Sequence, residues 1–141
     1  MKKLFCSIVA LFALVSMSSC AGGKAVEASN LSGKWSLVSV KGEVLSFTET
    51  PFFEFNMIDN TVHGKSGCNL FNSSLNLDAN DASAVSFNMP RSTMMACQDM
   101  ENEGKILRSF DAVKSVKAGE NESEIVLVDV DGKEIFRLQK N

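Results

Sequence analysis

Two segments gather the side chains able to do chemistry. The first is Gly64-Lys65-Ser66-Gly67-Cys68-Asn69-Leu70-Phe71. Glycines around a short polar run mark backbone that needs positive φ or a close approach. Cys68 on such a turn has the form of a nucleophile, but a catalytic thiolate needs a neighbouring base. His63 is the only histidine and lies five residues earlier. Odd spacing on an extended strand sends two side chains to opposite faces. The expectation is therefore a structural Cys68, bridged or buried, with a cysteine-dependent enzyme as the lesser alternative.

The second segment runs from Met89 through Pro90, Arg91, Ser92, Thr93, Met94, Met95, Ala96 and Cys97 to Met100. Thioether and thiolate ligands suit Cu(I), so Met94, Met95 and Cys97, with Cys68, form a candidate soft-metal or redox set. Against it, Met89 closes a strand and Met100 opens a helix, where both suit core filling. The expectation is no metal and no cofactor. The acids Glu101, Glu103, Glu120, Glu122, Glu124, Asp129 and Asp131 fall in helix or turn positions expected to be solvated. No catalytic carboxylate is nominated, and no phosphate-binding glycine loop, Ser-His-Asp signature or histidine cluster is present.

The elements that position these residues are mostly short strands. Alternation and turn signals predict strands over Lys34–Lys41, Phe52–Ile58, Thr61–Lys65, Asn69–Leu77 and Ala84–Met89. In the first, Trp35 and Leu37 share one face and Val38 and Val40 the other. The period then changes. Met100, Ile106, Leu107, Phe110 and Val113 fall at helical spacing, with Asp99 as N-cap and Glu101 and Glu103 in the first turn. Strands return over Ser115–Ala118, Glu124–Val130 and Lys133–Gln139, the last two joined by Asp131-Gly132 as a type I′ hairpin turn. The fold class is α+β: a strongly bent or barrel-like antiparallel sheet of about eight strands with one helix packed on it.

Residues 1–19 have the pattern of a lipoprotein signal peptide. Lys2 and Lys3 precede an apolar run from Leu4 to Val15, and Ser18 and Ser19 precede Cys20. A spanning helix needs roughly 20 apolar residues, more than this segment holds. Cys20 is the expected acylated first residue, with ordinary secretion as the alternative. Residues 20–30 are expected to form a flexible tether, and 31–141 a single domain. The leader holds two of the 14 basic residues and none of the 17 acidic ones, which takes the net charge from −3 for the whole chain to −5 from Cys20 onward. That balance disfavours nucleic acid as a partner. With Cys20 acylated, Cys68 and Cys97 remain as a pair, and in an oxidising compartment such a pair suggests a disulfide.

The order of blocks resembles the META domain family (HslJ-like proteins). The blocks are Gly33-x-Trp35-x-Leu37, Phe53-x-Phe55, Gly64-x-Ser66-Gly67-Cys68-Asn69-x-Phe71, Ser92-Thr93-Met94-Met95-Ala96-Cys97, a helix, and a hairpin from Leu127-x-Asp129 to Leu138. The resemblance covers roughly residues 31 to 141. One departure stands at Met94, where the family usually carries a basic residue; Arg91 is nearby. The resemblance implies a small barrel-like fold with one helix, no established enzymatic activity and frequent lipid anchoring, with some members linked to stress. It marks Gly67, Asn69, Phe71, Ser92 and Thr93 as motif residues and implies that Cys68 and Cys97 lie close together. The expected function is a lipid-anchored, non-enzymatic binding or stress-response module of the cell envelope. Its expected place is the outer membrane, on the periplasmic or surface face, rather than the inner membrane. The lipid on Cys20 would be its membrane contact, and its protein or small-molecule partner is unknown.

Overall fold

A computed structural model describes residues 25–141. The expected signal peptide over residues 1–19, Cys20 and the first part of the expected tether lie outside the described residues. Residues 28–31 form a 3-10 helix, and Ala28 is buried against the core with Leu31, so the packed domain begins before the expected boundary at 31.

Nine strands follow: β1 (Gly33–Val40), β2 (Phe52–Asn56), β3 (Thr61–Lys65), β4 (Leu70–Asp78), β5 (Asp81–Phe87), β6 (Arg91–Ser92), β7 (Ser115–Ala118), β8 (Glu124–Val128) and β9 (Glu134–Lys140). Helix α1 (Met100–Ser109) continues as a 3-10 turn over Phe110–Ala112 and lies between β6 and β7. Every pairing is antiparallel. The order runs β3-β2-β1-β9-β8-β7-β5-β4, and β4 pairs back onto β3, so the sheet closes into a ring. Closure removes the exposed edges that invite pairing with other chains. The short β6 adds to β4, with Phe71 opposite Ser92 and Asn72 opposite Arg91. The expected α+β barrel-like sheet is thus the observed fold.

Period-two alternation puts Phe53 and Phe55 of β2, Phe71 and Leu75 of β4, and Val85 and Phe87 of β5 into the interior. The helix contributes Ile106 and, just beyond it, Phe110 and Val113, all fully buried. Phe110 lies among four rings from four strands: Phe53, Phe71, Phe87 and Phe136, with centroids 5.1 to 5.3 Å away. Offset and edge-to-face contacts at this range are the favoured aromatic geometries.

Four local expectations are corrected. First, Val38 and Val40 do not share a face. The register of β1 against β9 shifts between Leu37 and Ser39, so Val38 is the extra residue of a bulge and turns outward, while Val40 is buried. Second, Met89 and Met100 are not core fillers; they are 76 % and 52 % exposed. Third, Asp99 holds the N-cap position of α1 as expected, but its side chain makes no capping bond. Its Oδ2 accepts from the Thr48 amide at 2.9 Å, tying the β1–β2 loop to the helix start. Fourth, the β8–β9 loop is not a type I′ turn, which needs two consecutive residues with positive φ. Only Gly132 (φ +80°) has it; the Gly132 amide donates to the Asp129 carbonyl, and the Asp129 carboxylate accepts from the amides of Asp131 and Lys133.

Candidate functional site

The two chemistry-bearing segments meet. The first is the β3–β4 connection, Ser66 to Asn69; the second is the strap after β6, Thr93 to Cys97. A disulfide joins Cys68 to Cys97, which lie 29 positions apart in sequence, with Cα atoms 6.3 Å apart. The Thr93 amide donates to the Leu70 carbonyl, and the Leu70 amide donates to Thr93 Oγ1. The strap is therefore held to the start of β4 by covalent and hydrogen bonds.

Asn69 is the centre of this knot. It is 4 % exposed. Its Nδ2 donates to Glu103 Oε2 at 2.7 Å and to the Met95 carbonyl at 3.2 Å. Its Oδ1 accepts from Thr93 Oγ1 and from the Met95 amide, both at 2.8 Å. All four hydrogen-bonding positions of the side-chain amide are filled.

Glu103, from α1, is the member that sequence reasoning missed. It was expected in solvent but is 3 % exposed. Its Oε1 accepts from the backbone amides of Cys68 and Asn69. A buried carboxylate is tolerated where several donors meet it. Gly67 answers the same contact: its φ is +134°, and a Cβ there would lie 2.9 Å from Glu103 Oε1 and 3.0 Å from the Phe47 ring. No spacing rule links Glu103 to residues 66–69; only the packing of α1 does.

The remaining motif residues have distinct places. Phe71 is part of the aromatic core. Ser92 pairs with it across the ladder. Met94 is 90 % exposed and Met95 half exposed, and a Glu103 carboxylate oxygen lies within 4.8 Å of both cysteine sulfurs. In the alternative soft-metal set of Met94, Met95 and Cys97, the Met94 side chain stands in solvent. His63 is exposed on β3, its Nε2 3.4 Å from Glu54 Oε2 across the β2–β3 ladder, and Cys68 is committed to Cys97.

A groove of about 480 Å³ runs beside the knot, lined by His63, Leu70, Asn72, Arg91, Ser92 and Thr93. Leu70 is exposed at its edge. Arg91 has no ion-pair partner among the described residues.

A second charged cluster lies on β8 and β9. The Arg137 guanidinium donates to Glu134 Oε2 and Glu124 Oε1, each at 2.5 Å, and Ser39 Oγ donates to Glu134 Oε1 at 2.7 Å. The hydrogen bond from Arg137 holds the Glu134 carboxyl below its ordinary value, and the bonds to Glu134 and then Glu124 hold Arg137 above its own. Glu124 was expected in solvent and is mostly covered by this pairing. The cluster braces adjacent strands.

A family model for the META domain matches residues 29–141. The chain belongs to the META domain family. The match starts within the 3-10 helix that packs on the core and spans the whole barrel. Among solved structures, this META domain is similar to a protein from Burkholderia xenovorans, with TM-score 0.59 and 17 % identity over 80 % of this chain and 85 % of that one. It is also similar to a DUF4847 family protein from Bacteroides vulgatus, with TM-score 0.53 and 14 % identity over 79 % and 94 % of the two chains. At such identities the likeness is one of fold. No curated protein matches the chain. Among the described residues of the META domain, no helix is long and apolar enough to cross a membrane.

Proposed function

We propose that this META-domain protein is a non-enzymatic binding module of the cell envelope, anchored by a lipid on Cys20. It uses the groove beside the strap to hold a partner with an apolar face and an anionic group. One observation carries the reading. Leu70, Met94 and Met95 are large, apolar and exposed, yet they stand on backbone pinned by a disulfide and by Asn69. Exposed apolar groups on a rigid frame favour association, since little order remains to be imposed on binding. Methionine adapts to varied surfaces. Arg91, which has no ion-pair partner among the described residues, supplies a cation to the groove.

The polar side chains of the knot support a binding role over catalysis. Asn69 and Thr93 spend their hydrogen bonds on one another, on Glu103 and on nearby backbone, Glu103 spends three of its acceptor positions on Asn69 and on two backbone amides, and the two cysteines are bonded to each other. The leader pattern ending in Ser18-Ser19-Cys20 and the net charge of −5 from Cys20 onward favour the envelope and disfavour nucleic acid. The outer membrane, periplasmic or surface face, is the proposed location, and response to envelope stress the proposed context.

Site-specific photocrosslinking in cells tests the binding face. A photoreactive residue at Met94 is expected to trap a discrete adduct that is lost on adding Arg91→Glu. The same group at Val130, which is 81 % exposed in the β8–β9 loop, is the control. Identical adducts from both positions would overturn the assignment. An alkyne-tagged fatty acid fed to cells is expected to label the wild-type chain and not Cys20→Ser, and an unlabelled wild-type chain would remove the anchor.

A further inference from the structure

The disulfide sulfur atoms and the Glu103 carboxylate form a second feature of the knot, independent of the groove. Cys68 Sγ, Cys97 Sγ and a Glu103 oxygen all lie within 4.8 Å of one another. Glu103 is buried, and both cysteines are half-buried and reachable from solvent. We propose that the reduced form of this protein binds one Zn²⁺ ion through Cys68, Cys97 and Glu103, with water as the fourth ligand.

Three arguments support the site. The first is geometric. Zinc takes sulfur at about 2.3 Å and carboxylate oxygen at about 2.0 to 2.2 Å in a tetrahedron, which sets neighbouring ligand atoms roughly 3.5 Å apart. Each sulfur–oxygen pair, at most 4.8 Å apart, needs to close by about an ångström, and the two bonded sulfurs need to separate. The second is capacity. A carboxylate has about four acceptor positions. Glu103 uses three, for the amides of Cys68 and Asn69 and for Asn69 Nδ2, so one is open to a metal. These donors also fix the carboxylate's orientation, as outer partners of metal ligands do. The third is persistence. Opening the disulfide does not free the loops, because Asn69 still joins Thr93, Met95 and Glu103, and Leu70 still pairs with Thr93. The two thiols stay beside each other.

The redox step balances with a dithiol as reductant. The Cys68–Cys97 bond breaks and the dithiol forms its own disulfide. Its two protons pass to the two protein sulfurs. Zinc loading then releases those two protons to solvent as both thiols bind as thiolates. The oxidised protein lacks the thiolates and so does not bind.

Cobalt(II), a coloured stand-in for zinc, tests the site. The probe protein is the full chain with Cys6→Ser and Cys20→Ser, so that only the pair supplies sulfur. After dithiol reduction and desalting without oxygen, one Co²⁺ per chain is expected, with a thiolate-to-cobalt charge-transfer band that Zn²⁺ removes. The oxidised sample is expected to show no band. Glu103→Gln is expected to weaken Co²⁺ binding at least tenfold with the far-UV circular dichroism unchanged. If Glu103→Gln does not fold, Cys97→Ser takes its place, since it leaves the Glu103 hydrogen bonds intact and must abolish the band. No band in the reduced protein would overturn the proposal. So would an undiminished band in the variant that folds, or equal affinity of the reduced chain unfolded in urea.

Discussion

Asn69 bonds with both of its side-chain N–H groups and both acceptor positions, and three of its four partners belong to the strap after β6. Removing the amide strands the Met95 amide, the Thr93 hydroxyl and one Glu103 oxygen, and a buried polar group left without a partner costs about 1 to 3 kcal/mol. Asn69→Ala is therefore expected to destabilise the protein by about 3 kcal/mol, read as a lower urea midpoint at unchanged slope. Glu134 gives a pH-dependent case. Its folded-state value is lowered by Arg137, so its contribution is present above the ordinary carboxylate range and is lost as pH falls through the folded value. Glu134→Gln is expected to cost about 1 kcal/mol at neutral pH. The gap to wild type should close on acidification, measured as urea midpoints across a pH series. At this scale half of the site was legible. Cys68, Cys97, Asn69 and Thr93 stand in compact blocks whose glycine and paired cysteines signal a built loop. Glu103 and Glu124 were not legible, because a helix or strand acid looks solvated until the element that faces it is known.

The strands were legible as elements because Phe53, Phe55, Phe71, Val85 and Phe87 alternate with polar residues, and one buried face forces that pattern. The helix was legible from Ile106, Phe110 and Val113. The bulge at Val38 was not, since Trp35 to Val40 alternates too weakly for one extra residue to stand out. The β8–β9 turn was misread for a related reason: Asp-Gly serves a two-residue loop and a longer one with a single positive-φ glycine equally well, and strand register decides. Met89 and Met100 were read as core because methionine fills cores, yet both side chains are exposed and the interior is built from aromatic and branched aliphatic residues instead. Phe110 thus couples the helical segment to β2, β4, β5 and β9. Phe110→Ala is expected to cost about 4 kcal/mol through lost burial and the cavity left. Near-UV circular dichroism should weaken and the thermal midpoint fall, while a change below 1 kcal/mol would show that the helix is not anchored there.

As a whole molecule, the protein closes its sheet and then fastens one corner. The chain-entropy account gives a cross-link over 29 residues about 3 to 4 kcal/mol. Dithiol treatment is expected to lower the urea midpoint accordingly while leaving the barrel folded, because the aromatic centre and the Asn69 bonds do not depend on the sulfurs; complete loss of cooperative unfolding on reduction would contradict this. Ring closure also sets the order of events during synthesis. β9 lies between β1 and β8, so the first strand made is completed by the last. Until residues 134–140 leave the ribosome, β1 lacks a neighbour on that side and Phe136 is missing from the rings around Phe110. Contacts this distant in sequence cannot form early. The chain therefore stays open until residues 134–140 are available, a thread rather than a bead, and becomes a barrel only when β9 takes its place between β1 and β8.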